Sequence, residues 1–169
     1  MLVDSHCHLD RLDKTKEELT DVINTANAQG VDHFLCVCVS VNDFYSMLDM
    51  INGLPNVYAT CGVHPLHQDE ACPQAELLKA AQAENVVAIG ETGLDYFYES
   101  DQQEYKRLQQ SFILHLEAAK QLAMPVIVHT RDARQDTMVL IREHGDINSG
   151  GVLHCFTEDY AMAKAALDE

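Results

Sequence analysis

The chain opens on Met1-Leu-Val-Asp-Ser-His-Cys-His-Leu-Asp10, with His6 and His8 two residues apart behind a short apolar run. On a β-strand alternate side chains share a side, so both imidazoles would point the same way. Two neutral imidazoles on one side can grip one divalent cation such as zinc. Nine histidines in 169 residues make a chance His-x-His pair unremarkable, so its weight depends on what accompanies it. Four more candidates stand farther along, at His64, Glu91, His129 and His154. Each closes an apolar stretch of strand length.

The elements that must position them read as a repeating βα pattern. Thr15-Lys-Glu-Glu18 has capping-box spacing and predicts a helix running towards Gly30, with Val22, Ile23 and Ala26 on its apolar face. Residues 31–39 are an apolar, β-branched run of strand length. Ser40 to Asp43 caps a helix in which Phe44, Met47, Leu48 and Ile51 repeat at helical spacing. A third strand over 57–62 leads to His64. Pro73 marks the next helix start, with the helix reaching about Glu84, and a strand over 85–91 ends on Glu91. Ser100 to Gln103 caps a long helix to about Ala123, its inward stripe being Leu108, Phe112, Leu116 and Ala119. A strand over 125–129 ends on His129, a helix covers roughly 133–144, and a strand over 150–154 ends on His154. Residues 158–169 begin a further helix.

Strands apolar throughout belong to a parallel sheet covered by helices on both faces. An open doubly wound sheet would carry a Gly-rich phosphate loop after its first strand, and neither G-x-G-x-x-G nor G-x-x-x-x-G-K-[ST] occurs. The expected fold is therefore an α/β (β/α)₈ TIM barrel with about six of its eight βα units present, in a single domain over 1–169. In such a barrel the C-terminal strand ends meet at one mouth, where active sites form. His6, His8, His64, Glu91, His129 and His154 would gather there as a metal site. Their number suits two cations: one on His6, His8 and a carboxylate, the other on His129, His154 and the same carboxylate, with Glu91 as the bridge. Such a pair would activate water against a phosphate or acyl centre. His33, His115 and His144 read as structural or surface residues, and His67 as a loop residue.

Composition narrows the function classes. The net charge is −16, from 11 basic against 27 acidic residues, which argues against non-specific nucleic-acid binding through a basic patch. It leaves phosphate chemistry open, because bound cations supply positive charge locally. Six cysteines occur without a C-x-x-C pair, no apolar run reaches membrane-spanning length, and no signal peptide is expected. Free thiols in a reducing cytoplasm are expected.

Five segments in order, Asp4-Ser-His-Cys-His-Leu-Asp10, Cys61-Gly-Val-His-Pro65, Gly90-Glu-Thr-Gly-Leu-Asp-Tyr96, Pro125-Val-Ile-Val-His-Thr-Arg-Asp-Ala133 and Gly151-Val-Leu-His-Cys-Phe156, together resemble the TatD-type metal-dependent hydrolases, most closely their YcfH-like branch. The resemblance spans the whole chain. It implies a (β/α)₈ barrel of the metal-dependent hydrolase type, two divalent cations (zinc, magnesium or manganese), and hydrolysis of phosphodiester bonds in DNA. The family's opening His pair falls on His6 and His8, its bridging and catalytic Glu on Glu91, and its later His ligands on His129 and His154. His64 and Arg131 match phosphate-side, substrate-binding positions. The family's last-strand Thr-Asp-Ser-Pro-like motif, whose Asp binds a metal, has no counterpart here. A partial sequence, or a fragment of low stability and weak activity with strands one and six as open edges, is expected on that ground. The same metal pair would also polarise a carbonyl, so a lactone, cyclic amide or aminoacyl ester is the alternative substrate class, and a non-catalytic truncated remnant is the alternative outside enzymes.

Overall fold

The computed structural model describes residues 1–67, 72–98 and 101–168. Six strands, β1 (Leu2–Cys7), β2 (Val31–Cys36), β3 (Val57–Cys61), β4 (Val86–Asp95), β5 (Val126–Arg131) and β6 (Gly151–Leu153), pair in sequence order, and every pair is parallel. Helices α1 (Lys16–Ala28), α2 (Val41–Ile51), α3 (Gln74–Ala80), α4 (Gln102–Leu122), α5 (Arg134–His144) and α6 (Tyr160–Ala166) follow the strands in turn. Local signals account for the helix starts. Thr15 accepts from the Glu18 amide while the Glu18 carboxylate accepts from the Thr15 amide, completing the capping box. Ser40 accepts from the Asp43 amide and Asp159 from that of Met162. At α4 the cap is Asp101, which accepts from Gln103; Ser100 lies outside the described residues. Among the described residues no helix is long and apolar enough to cross a membrane.

The sheet is curled, and a contact between its two edges proves the sense of the curl. Laid flat, five strand spacings would separate β1 from β6 by about 24 Å. Instead the His6 ring, on β1, stacks on the His154 ring, just past β6, with centroids 3.4 Å apart and planes 10° from parallel. The architecture is a parallel α/β half-barrel whose C-terminal strand ends converge. The buried strands β3, β4 and β5 lie in the middle, whereas β1 and β6 are the edges and are largely exposed.

Between sheet and helices lies the core. Phe44, Met47 and Ile51 of α2 and Leu108, Phe112, Leu116 and Ala119 of α4 are all buried, as their spacing predicts. On α1 the buried pair is Leu19 and Ile23, one turn apart, and Val22 is only half-buried. Burying one such side chain stabilises by roughly 1.5–3 kcal/mol. His115 belongs to this core, a structural residue rather than a surface one: it is fully buried, accepts from the Val63 amide at 3.0 Å through Nε2 and donates from Nδ1 to the Ser111 carbonyl at 2.7 Å. Burial pushes its pKa down to about 4. A neutral His115 therefore ties the long helix to the residue before His64.

Candidate metal centre

The length of β4 decides the centre of the site. Sequence patterning ends this strand at Glu91, but its pairing continues to Asp95, opposite Arg131. Ile89 pairs with Val126 and Thr92 with Val128, so three steps on β4 match two on β5. The extra residue is a bulge, a device that re-aims a side chain. Gly90, at φ +137°, makes room for it, since a Cβ there would lie 2.6 Å from the Ile127 carbonyl oxygen. The Glu91 amide then donates to the Cys38 carbonyl at 2.7 Å. Thr60 accepts from the Cys38 amide at 3.0 Å and donates to the Gly90 carbonyl, pinning β3, β4 and the segment after β2 around one carboxylate.

Imidazoles surround that carboxylate. Glu91 is 4% exposed; its Oε2 lies 3.3 Å from His6 Nε2, and its Oε1 lies 3.4 Å from His129 Nδ1 and 3.6 Å from His64 Nε2. The His8 ring is 5.2 Å from that of His6, and the His64 ring is 4.4 Å from that of His129. Burial by itself would raise the Glu91 pKa. Hydrogen bonds from His129 and His6, with the fields of His64 and His6, outweigh it and hold the carboxyl well below the usual range. It is ionised, so it can hold a cation.

His8, His129 and His64 are oriented by hydrogen bonds from their other ring nitrogen. His8 donates from Nδ1 to the Val37 carbonyl at 2.9 Å, which leaves its Nε2 lone pair for the cluster. The His129 Nε2 bonds Asp95 Oδ2 at 3.0 Å while Nδ1 faces Glu91. Burial lowers the His129 pKa, but the two carboxylates overcome this and raise it. His64 differs. Its Nδ1 accepts from the Leu66 amide at 3.1 Å, so the proton of the neutral ring sits on Nε2 and points at Glu91. Burial pushes the His64 pKa down to about 4, against the pull of Glu91. His64 is thus built to donate a hydrogen bond into the site. Burial, and then the neighbouring His6, lowers the pKa of His154.

The residues present fit a divalent cation. Ligand atoms of His6, His8 and Glu91 lie within 4.8 Å of one another, and so do those of His64, Glu91 and His129. Nδ1 of His6 is buried without a hydrogen-bond partner, an orphan polar atom of the kind a ligand resolves. The structure brings the strand-end residues expected from sequence near one another. His64 lies beside Glu91 and His129, and His154 meets the cluster by stacking on His6. Arg131 ends β5, with its Cζ over the Phe97 ring, 3.6 Å from the ring centroid.

Asp95 is the residue that sequence patterning passed over. It is 1% exposed, and its Oδ1 also accepts from the Phe97 amide at 3.0 Å. Its signal was parity: four residues past Glu91, it returns to the same side of a strand if that strand continues. The cysteines stay out of the site. Among the described residues none of the six forms a disulfide, and burial pushes the thiols of Cys7 and Cys36 up to about 12 and that of Cys38 to about 11. Cys155 is exposed, in the turn at the end of β6.

The sequence profile described as TatD related DNase matches residues 3–169. The chain is 46% identical over 169 residues to the uncharacterized metal-dependent hydrolase YcfH of Escherichia coli strain K12, covering 99% of this chain and 63% of that protein. It is 33% identical over 151 residues to the 3'-5' ssDNA/RNA exonuclease TatD of Salmonella typhimurium, covering 88% of this chain and 57% of that one. Among solved structures it superposes on YjjV, a TatD homologue of Escherichia coli K12, with a TM-score of 0.86 and 27% identity, over 99% of this chain and 64% of that chain. The chain thus spans somewhat under two thirds of the relatives it matches. The half-barrel fold, the imidazoles gathered on one buried carboxylate and the match along nearly all of its length make this chain a member of the TatD-related DNase family of metal-dependent hydrolases.

Proposed function

We propose that the protein hydrolyses phosphodiester bonds in DNA with two divalent cations, zinc, magnesium or manganese, as part of one barrel domain that includes residues 1–169. The observation that carries this reading is the division of labour on Glu91, whose Oε2 faces His6 and whose Oε1 faces His129. A carboxylate with each oxygen turned to its own imidazole is disposed to bridge. His6 and His8 would hold one cation, His129 and His154 the other, with Glu91 shared. His64 is set apart because its Nε2 carries a proton, which leaves the stacked His154 as the available imidazole. When bound, the cations supply Lewis acidity that activates water and neutralises charge on the phosphoryl oxygens.

The chain's own groups do the rest. Glu91, kept ionised, offsets the cation charge at the reacting centre and is the catalytic carboxylate. Asp95 fixes the ring of His129, and the Val37 carbonyl fixes that of His8. His64 donates from Nε2 towards a substrate oxygen, and the Arg131 guanidinium offers a fork of donors to a phosphate. Six cysteines without a disulfide among the described residues suit a cytoplasmic setting. The test is metal analysis joined to a substrate panel: single-stranded DNA, a chromogenic phosphodiester, a lactone and a cyclic amide, with and without chelator. Chelator-sensitive DNA cleavage that disappears in Glu91→Gln is the expected result. Protein purified without divalent ions and unable to bind them, or a preference for the lactone or amide, would overturn the proposal.

A further inference from the structure

Beyond Asp95 the chain splits its aromatic residues. Tyr96 turns inward, its hydroxyl 2.8 Å from Asp136 Oδ2 and 2.8 Å from Gln109 Nε2. Phe97 and Tyr98 turn outward and are 53% and 63% exposed, which leaves much of their apolar surface in water. Their rings meet edge to face, with centroids 4.8 Å apart at 89°. The Arg131 guanidinium lies over Phe97 and 5.2 Å from the centroid of the Tyr98 ring. This group is tied directly to the metal centre: the Phe97 amide donates to the Asp95 carboxylate that also holds His129, and the Tyr96 amide donates to the Arg131 carbonyl at 2.9 Å. Arg131 stands two residues beyond His129 on β5, an advance of about 7 Å along the strand.

We propose that Phe97 and Tyr98, with Arg131, form a stacking platform for an unpaired nucleobase beside the metal centre. Exposed aromatic faces joined to a planar cation are how proteins hold bases that have left a duplex, and such stacking tolerates any sequence. A duplex hides its base faces, so the platform selects a single strand or a frayed end. It also answers the net charge of −16, which works against binding a polyanion through its backbone alone. The inference rests on the nuclease reading of the neighbouring site. If the rings served only to position Arg131, a base would make no difference to binding.

Two probes separate these cases: a short phosphorothioate-linked single strand carrying 2-aminopurine, whose fluorescence falls on stacking, and the same strand with an abasic position in its place. Both are titrated against the manganese-supplied protein and against the Phe97→Ala/Tyr98→Ala double variant, with Tyr98→Ala alone leaving Phe97 under Arg131. Binding should quench the base analogue, and the double variant should weaken affinity for the base-bearing strand about tenfold or more while leaving the abasic strand and the melting temperature unchanged. Tyr98→Ala should give part of that loss. Equal loss on both probes, or no quenching on binding, overturns the platform. Quenching without DNA cleavage would overturn the nuclease reading and keep the platform; DNA cleavage with the same KM for base-bearing and abasic strands would do the reverse.

Discussion

His115 should make the stability of this protein depend on pH in a way that one substitution removes. The ring is fully buried and accepts the Val63 amide proton at Nε2, which only the neutral form can do. Burial holds its folded pKa at about 4, whereas in the unfolded chain it returns to 6.5. Between these values the unfolded chain binds a proton that the folded chain refuses, so acidification favours unfolding. The contribution is complete above pH 6.5, declines as pH falls, and is lost once pH passes the folded value. The gap amounts to about 3 kcal/mol at pH 4. That is a large part of the roughly 5–15 kcal/mol that holds a domain together. Urea unfolding of the protein and of His115→Gln, in chelator-containing buffer from pH 7.5 to 4, isolates the term, because other titrating groups are common to both proteins. The stability advantage of the native residue should shrink by about 3 kcal/mol across the series. A difference between the two proteins that is flat with pH would refute the argument. His115→Leu, which leaves the Val63 amide without an acceptor, should cost about 1–3 kcal/mol at pH 7.5.

Other perturbations test the architecture of the site. Asp95→Asn should weaken metal affinity or activity about 10–100-fold by freeing the His129 ring, measured by metal titration. Thr60→Val keeps the shape but strands the Cys38 amide and the Gly90 carbonyl; it should cost about 1–3 kcal/mol for each group left unpaired, read from denaturant midpoints, and a neutral result would show that the hydroxyl does not pin the bulge. At Gly93, where φ is +135°, a Cβ would lie 2.0 Å from the His129 carbonyl oxygen. Gly93→Ala should therefore lower the melting temperature by roughly 3–10 °C, and an unchanged melt would contradict the close approach of β4 and β5.

What the sequence determined by itself was whatever depends on neighbours along the chain. Capping at Thr15 and Ser40, the helical stripes of α2 and α4, the apolar strands and the placing of His6, His8, His64, His129 and His154 at strand ends are all local signals, legible from spacing. The tertiary structure decided what depends on partners distant in sequence. Pairing with β5 extends β4 to Asp95 and inserts the bulge that aims Glu91, and no pattern within β4 alone states its register. Likewise the Val37 carbonyl, reaching His8 across the sheet, sets which nitrogen of that ring carries the proton, and the Glu91 carboxylate that His64 faces comes from another strand. Residue types fixed which groups could bind a metal; only the packing of β1, β3, β4 and β5 around Glu91 decided which of them offer a lone pair and which a proton. The curl that stacks His6 on His154 belongs to the second class too, since it is a property of the whole sheet and of no strand in it.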